Sequence, residues 1–246
     1  MSAASSARSL LGRMFTMPAY PPDAADLRTF RLAGLELPVR STVVVVAAIL
    51  LVIFDFQRTL IPDELLRYDR NPGEQRLQAF SRVALFLVVP LAIVVLGFRD
   101  RPARYGLRLG DWRWGLGLAV AGCAVMTPII LALASLPDFR AYYAPSDEPV
   151  PGLLLTNVLD LFSTEFLFRG FLMLALARFF GPIALVIALF PFTFVHLTKP
   201  ETELLSTFVG GAIYGWFAWR TGSILWGAAA HVYIVTLLIV ASGGLR

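Results

Sequence analysis

Long apolar segments separated by short polar ones make up most of this chain. There are seven such segments, at about 41–56, 80–98, 114–136, 152–177, 181–197, 204–219 and 223–241. Most of them reach, or with tilt approach, the ~20 residues that a helix needs to cross a bilayer. Strand-length alternation is absent from them, and backbone groups in lipid must be paired internally. The pattern therefore predicts an all-α polytopic membrane protein with about seven transmembrane helices.

The links between the last four segments are only a few residues long. Helices joined by such links run antiparallel to each other, so we expect one compact C-terminal four-helix bundle. Three parts follow from this organisation: an arginine-rich N-terminal segment (1–40), accessory transmembrane helices and loops (41–149), and the core bundle (150–242).

Composition supports a membrane protein and excludes two other classes. The chain is 57% hydrophobic and 15% charged, whereas soluble domains carry about 25% charged residues and disordered chains are poor in apolar residues. The net charge of +4 comes from arginines that lie between the apolar segments. We interpret them as topology signals and expect no nucleic-acid partner.

The distribution of arginines predicts the orientation. Five arginines lie in 1–40 and five in the 98–113 loop, whereas the 137–150 loop has one arginine and three acidic residues. The positive-inside rule then places the N-terminus, the 98–113 loop and Arg220 in the cytoplasm. Seven spans place the C-terminus outside. We predict a multi-pass membrane protein without a cleaved signal peptide.

Ionisable residues occur inside the predicted spans, where they are costly and are candidates for function. They are Asp160, Glu165, Arg169, His196 and His231. Glu165 and Arg169 are spaced i,i+4 and are expected to form an ion pair on one helix face. Asp160 and Thr164 have the same spacing, rotated by about 100° from the first pair, so Asp160 is an auxiliary candidate.

Two chemistries fit two histidines and a glutamate. Glu165, His196 and His231 could bind zinc and leave a position open for water. They could instead activate water directly, with a carboxylate or imidazole as general base and the other histidine at the oxyanion. The HExxH motif of zinc proteases is absent. Gly211 and Gly215 form a GxxxG pattern, which favours close packing of two helices.

Three motifs in order resemble the CAAX-protease and bacteriocin-processing family of intramembrane endopeptidases. They are TEFLFRG at 164–170, PFTFVH at 191–196, and the stretch from 210 to 231 that ends in a histidine. The family pattern is EExxxR, FxxxH, then HxxxN or HxxxD two helices later. Glu165, Arg169, Phe192, His196 and His231 match it. The resemblance covers about 150–242 and implies catalytic roles for Glu165, Arg169, His196 and His231, with no metal cofactor.

Two positions depart from the family pattern. Thr164 replaces the first glutamate, which acts there as the base, and Val235 replaces the final Asn or Asp. A single-glutamate subgroup is similar in this respect and carries KPxxE after the first histidine, as Lys199 and Glu203 do here. The resemblance implies that Glu165, or else Glu203, supplies the base, and that Thr164, Phe192, Lys199 and Glu203 are auxiliary.

The resulting hypothesis is a glutamate-type intramembrane endopeptidase of a bacterial inner membrane. Glu165 and His196 would polarise water, His231 would stabilise the oxyanion, and Arg169 would hold Glu165. The substrate would be a membrane-anchored protein or peptide, and similarity to sorting proteases points to exported proteins with C-terminal anchors. The alternative is a non-catalytic scaffold, immunity or partner protein of the same fold, motivated by Thr164 and Val235. A transporter would show inverted repeats, which are absent.

Overall fold

A computed structural model describes residue 12 and residues 14–61, 72–143 and 148–243. All seven predicted apolar segments are helical, although the second helix begins at Pro72 rather than near residue 80. The helices are α1 (Val39–Phe56), α2 (Pro72–Arg82, continued by Val83–Val88, Val89–Ala92 and Ile93–Gly97), α3 (Trp112–Ala134), α4 (Pro137–Tyr143), α5 (Val150–Glu165, continued by Phe166–Leu174 and Ala175–Phe180), α6 (Ile183–Phe194), α7 (Glu201–Thr221) and α8 (Leu225–Ala241).

The centre of the molecule is α5, which carries the first motif. Its middle part, Phe166–Leu174, is wound as a π-helix, and all nine of its residues are buried. Apolar residues on every side of this stretch explain why it is enclosed by neighbours instead of lying at the surface. α5 contacts α6, α7 and α8, so every C-terminal motif is next to it.

The expected bundle of the last four helices also includes a helix from the middle of the chain. α8 packs most extensively against α3 and next against α5. Gly115 on α3 permits this contact, because a Cβ atom there would lie 2.3 Å from the ring of Trp226. α3 was predicted to be accessory, but it supports the helix that carries His231.

Of the helices in the described residues, α1, α2 and α3 are long and apolar enough to cross a membrane, whereas α6 and α8 are apolar but shorter. α1 exposes large apolar side chains, among them Val46, Ile49 and Ile53. An apolar surface of this kind suits contact with lipid rather than water. The chain thus has the character of a membrane protein, and the exact number of seven spans stays a prediction.

The N-terminal segment contains a β-hairpin that the sequence analysis did not predict. Strands β1 (Thr29–Leu32) and β2 (Leu35–Pro38) pair antiparallel, with Leu32 opposite Leu35. The two turn residues, Ala33 and Gly34, both have positive φ, of 49° and 81°. Such turns match the right-handed twist of paired strands. The hairpin leads directly into α1.

Successive long helices alternate in direction, so the molecule has two ends. The Asp100 end contains residues 14–40, the 98–113 loop and the turn at 220–223. These parts are joined by hydrogen bonds from Tyr20 Oη to the Trp219 carbonyl (2.7 Å) and from Arg108 Nε to the Gly222 carbonyl (2.9 Å). The sequence analysis predicted that they share one side of the membrane. They do lie together, and the cytoplasmic assignment stays a prediction.

The opposite end is named the Lys199 end. It contains the C-terminal end of α1, the start of α2, α4, and the link between α6 and α7. Ion pairs join Arg58 to Glu74 and Arg76 to Glu148 there. α8 begins at the Asp100 end and finishes at the Lys199 end, which agrees with the predicted alternation.

Candidate active site

Residues from two of the three motifs meet in one buried group between α5 and α8. Glu165 Oε1 accepts a hydrogen bond from Nδ1 of His231 at 2.9 Å. The same oxygen lies 3.3 Å from Nη1 of Arg169, which is the i,i+4 ion pair expected from the sequence. Glu165 is 1% exposed. A carboxylate so completely removed from water needs its charged and hydrogen-bonded partners.

The Arg169 guanidinium is held by aromatic rings and by one carbonyl group. Its Cζ lies 3.6 Å above the centre of the Phe192 ring, a cation–π distance. Nη2 donates to the carbonyl of Gly211 at 3.4 Å. Gly211 brings α7 close to α6, because a Cβ there would lie 2.6 Å from Leu189 and 2.9 Å from Phe192. The GxxxG pattern therefore serves close packing, as predicted.

His196 follows the end of α6, and its side chain is held by a backbone carbonyl group rather than by a carboxylate. Its Nδ1 lies 2.8 Å from the Phe192 carbonyl oxygen, which can only accept, so Nδ1 carries the hydrogen. The His196 ring also lies against Phe192, with centroids 4.7 Å apart. The Tyr214 ring stacks on the ring of His231 at 5.0 Å. Aromatic neighbours thus fix the orientation of both imidazoles.

Both histidines line a polar cavity of about 250 Å³ that extends toward the Lys199 end. Its lining also includes Thr164, Asp160 and Val235. Glu165 is directed toward His231 and Arg169 and is not part of this lining. In each neutral histidine whose Nδ1–H is engaged, Nε2 is the ring nitrogen that can accept a proton. The arrangement can therefore offer two imidazole acceptors to water or a peptide.

A second charged group on the cavity wall was missed by the sequence analysis. Arg82 on α2 donates from Nε and Nη2 to Asp55 on α1, at 3.0–3.1 Å. Its Nη1 donates to both oxygens of Asp160, at 2.7 and 3.0 Å. Thr164 Oγ1 donates to Asp160 at 3.3 Å, so the second i,i+4 pair is also formed. An arginine at the start of a predicted span was the available signal.

Lys199 and Glu203 lie at the mouth of the cavity and share one tyrosine. Lys199 Nζ is 2.6 Å from Tyr143 Oη and 3.2 Å from Glu203 Oε1, and Tyr143 Oη also donates to Glu203. Burial alone would lower the pKa of Lys199, but Tyr143 and Glu203 together raise it above its usual value. Burial raises the pKa of the Tyr143 hydroxyl. These two partners therefore favour the charged form of Lys199. Nothing in the sequence marked Tyr143.

The zinc alternative depends on Glu165, His196 and His231 as a common ligand set. Within the described parts of the chain, no three His, Cys, Asp or Glu side chains are grouped closely enough to hold a metal ion. His231 Nδ1 is engaged by Glu165, and His196 Nδ1 by a carbonyl. Whether the site binds zinc or activates water directly stays a prediction.

Comparison with known proteins adds one finding to this geometry. Searches of curated proteins and of solved structures gave no significant match. Residues 146–237 match the family model described as Type II CAAX prenyl endopeptidase Rce1-like. The matched region is fewer than half of the 246 residues but contains all three motifs and the whole buried group. This part of the chain is therefore similar to a CAAX-type membrane protease, and the single-glutamate subgroup stays a prediction.

Proposed function

We propose that the protein is a multi-pass intramembrane endopeptidase of a bacterial inner membrane. The observation that carries the proposal is the placement of both histidines on one polar cavity within the region that matches the protease family. Hydrolysis of a peptide bond inside a bilayer requires water, a proton acceptor and a polar enclosure. This cavity supplies the polar enclosure and two imidazoles that can accept a proton. The substrate is a membrane-anchored protein or peptide.

The contacts favour His231 as the group that receives the proton of water. Its Nδ1–H is held by the Glu165 carboxylate, so Nε2 is the accepting nitrogen. As the water oxygen attacks the peptide carbonyl carbon, its proton passes to Nε2, and Glu165 stabilises the imidazolium that forms. When the C–N bond breaks, the same proton passes to the leaving amine. His196 Nε2 accepts the second hydrogen of the water and orients it.

In this scheme Glu165 and Arg169 act through His231 and do not contact the reacting water or peptide. The carboxylate orients His231, and the guanidinium compensates the buried carboxylate. This differs from direct activation of water by Glu165, because the carboxylate faces His231 rather than the cavity. It also explains how Thr164 can stand where the family has a glutamate: the base here is an imidazole backed by a carboxylate.

The decisive experiment compares a deletion strain with strains that carry His231→Ala or His196→Ala. The membrane-anchored proteome is followed by intact mass, and each variant's abundance is measured. Either substitution should leave the same proteins uncut as the deletion does, because general acid–base groups contribute roughly 10²–10⁴-fold in rate. Glu201→Gln, at an exposed position that begins α7, is the control and should cleave normally.

The non-catalytic alternative makes the opposite prediction. If the fold serves only as a scaffold or partner, both histidine variants behave as wild type, while bulky residues at Gly211 or Gly215 abolish function by separating α6 from α7. Normal processing by the two histidine variants would refute the protease proposal.

A further inference from the structure

The carboxylates around Arg82 carry more negative charge than this arginine can neutralise. This one guanidinium is shared by two carboxylates, Asp55 and Asp160. Arg58 and Lys199, the other cations of the described cavity lining, are ion-paired with Glu74 and Glu203. The group of Arg82, Asp55 and Asp160 therefore carries one excess negative charge when both carboxyl groups are ionised.

The excess charge is accessible on Asp160 and not on Asp55. The Asp55 side chain is 2% exposed, whereas that of Asp160 is 27% exposed and lines the cavity. A carboxylate has about four acceptor positions. Among the described residues, Asp160 has partners at three of them, two from Arg82 Nη1 and one from Thr164, which leaves an acceptor position on Oδ2.

An accessible negative charge in a small cavity favours a cation as its partner. The cavity that contains Asp160 also contains His196 and His231, so a group bound to Asp160 lies close to the peptide bond that reacts. We infer that Asp160 is a substrate-binding residue that selects a segment with a lysine or arginine near the cleaved bond. This inference rests on the proposed protease function.

The test uses the cleavage sites mapped in wild-type cells by sequencing the new termini. A lysine or arginine is expected within a few residues of each site. Replacing it by Gln should lower cleavage by the wild-type enzyme about ten-fold or more, and replacing it by Glu should lower it further. This arm needs no variant of the enzyme. Mapped sites without a nearby basic residue, or equal cleavage of all three substrates, would overturn the inference.

Asp160→Asn supplies the second arm, and Asp55→Asn is its matched control. Each substitution removes one of the two carboxylate charges that face Arg82, but only Asp160 lines the cavity. Asp160→Asn should cut the basic and the Gln substrates at nearly equal rates, and Asp160→Glu should keep the wild-type preference. Asp55→Asn removes the excess charge but leaves the accessible carboxylate, so it should weaken the preference less than Asp160→Asn does. A full preference in Asp160→Asn would refute the inference. Such a result would leave the protease proposal intact as long as His196→Ala is inactive, because that variant tests catalysis and not the preference for a basic residue.

Discussion

The two ends of the molecule use buried charge differently. At the Asp100 end, Arg40, Arg104 and Arg178 interlock with Asp23, Asp26 and Asp100. Each of these carboxylates lies within ion-pair distance of more than one arginine. In the candidate active site, by contrast, one arginine compensates Glu165, and one serves both Asp55 and Asp160.

The difference distinguishes charged residues that hold the fold together from charged residues that serve the candidate active site. A network in which several cations contact the same anions tolerates the loss of one member and fastens the N-terminal segment to the 98–113 loop and the end of α5. A carboxylate with a single compensating cation and one imidazole has no second cation to replace a lost one. Its negative charge can, however, stabilise the protonated form of that imidazole. The comparison predicts unequal responses to equivalent substitutions.

The largest difference is expected between Arg169→Met and Arg178→Met. Both arginines are almost fully buried on α5, with side chains 3% and 4% exposed. Arg169→Met leaves Glu165 without its cation and should destabilise the protein by about 3–5 kcal/mol. Arg178→Met leaves Asp26 and Asp100 with Arg40 and Arg104 and should cost clearly less. Thermal unfolding in detergent measures both, and equal losses would contradict the distinction between the two ends.

A smaller effect is expected where α7 meets α6 behind Arg169. Gly211→Ala places a methyl group against Leu189 and Phe192 and should destabilise the protein by about 1–3 kcal/mol. Because Phe192 supports both Arg169 and His196, cleavage per folded molecule should also fall. Gly210→Ala is the matched control, since a Cβ there meets nothing within 4 Å. It should be neutral or slightly stabilising. Similar behaviour of the two variants would refute close packing as the role of Gly211.

The smallest effect is an acid dependence at the Asp100 end. Burial alone would raise the pKa of Asp23, but the backbone N–H of Asp26 and the Arg104 guanidinium lower it to about 2. A carboxyl with a lowered pKa in the folded state adds stability that is present above about pH 4 and lost as the pH falls toward 2. The side chain is 45% exposed, so the contribution is small.

Unfolding of wild type and Asp23→Asn at pH 6 and at pH 2 checks this dependence. The wild type should be the more stable at pH 6, and the difference should disappear near pH 2. A difference that persists unchanged at pH 2 would show that the ionised carboxylate is not its source.

Much of the architecture could be predicted from the sequence, because a lipid environment restricts the backbone to a few structures. Backbone groups in a bilayer must be paired within the segment, so apolar length predicted a helix in each of the seven segments, and each is helical. The i,i+4 spacing identified the pairs Glu165–Arg169 and Asp160–Thr164, since helical periodicity determines which side chains are neighbours. The β-hairpin was missed because its four-residue strands carry no long apolar pattern.

The tertiary structure alone decided which residues from different helices meet. No spacing indicates that Glu165 hydrogen-bonds to His231, that Arg82 lies between Asp55 and Asp160, or that Tyr143 joins Lys199 to Glu203. These contacts depend on how α1, α2, α4, α7 and α8 are arranged around α5. The sequence determined the helices and the residue types available for chemistry. Packing determined which of them are buried, which face the cavity and which charge is left accessible there.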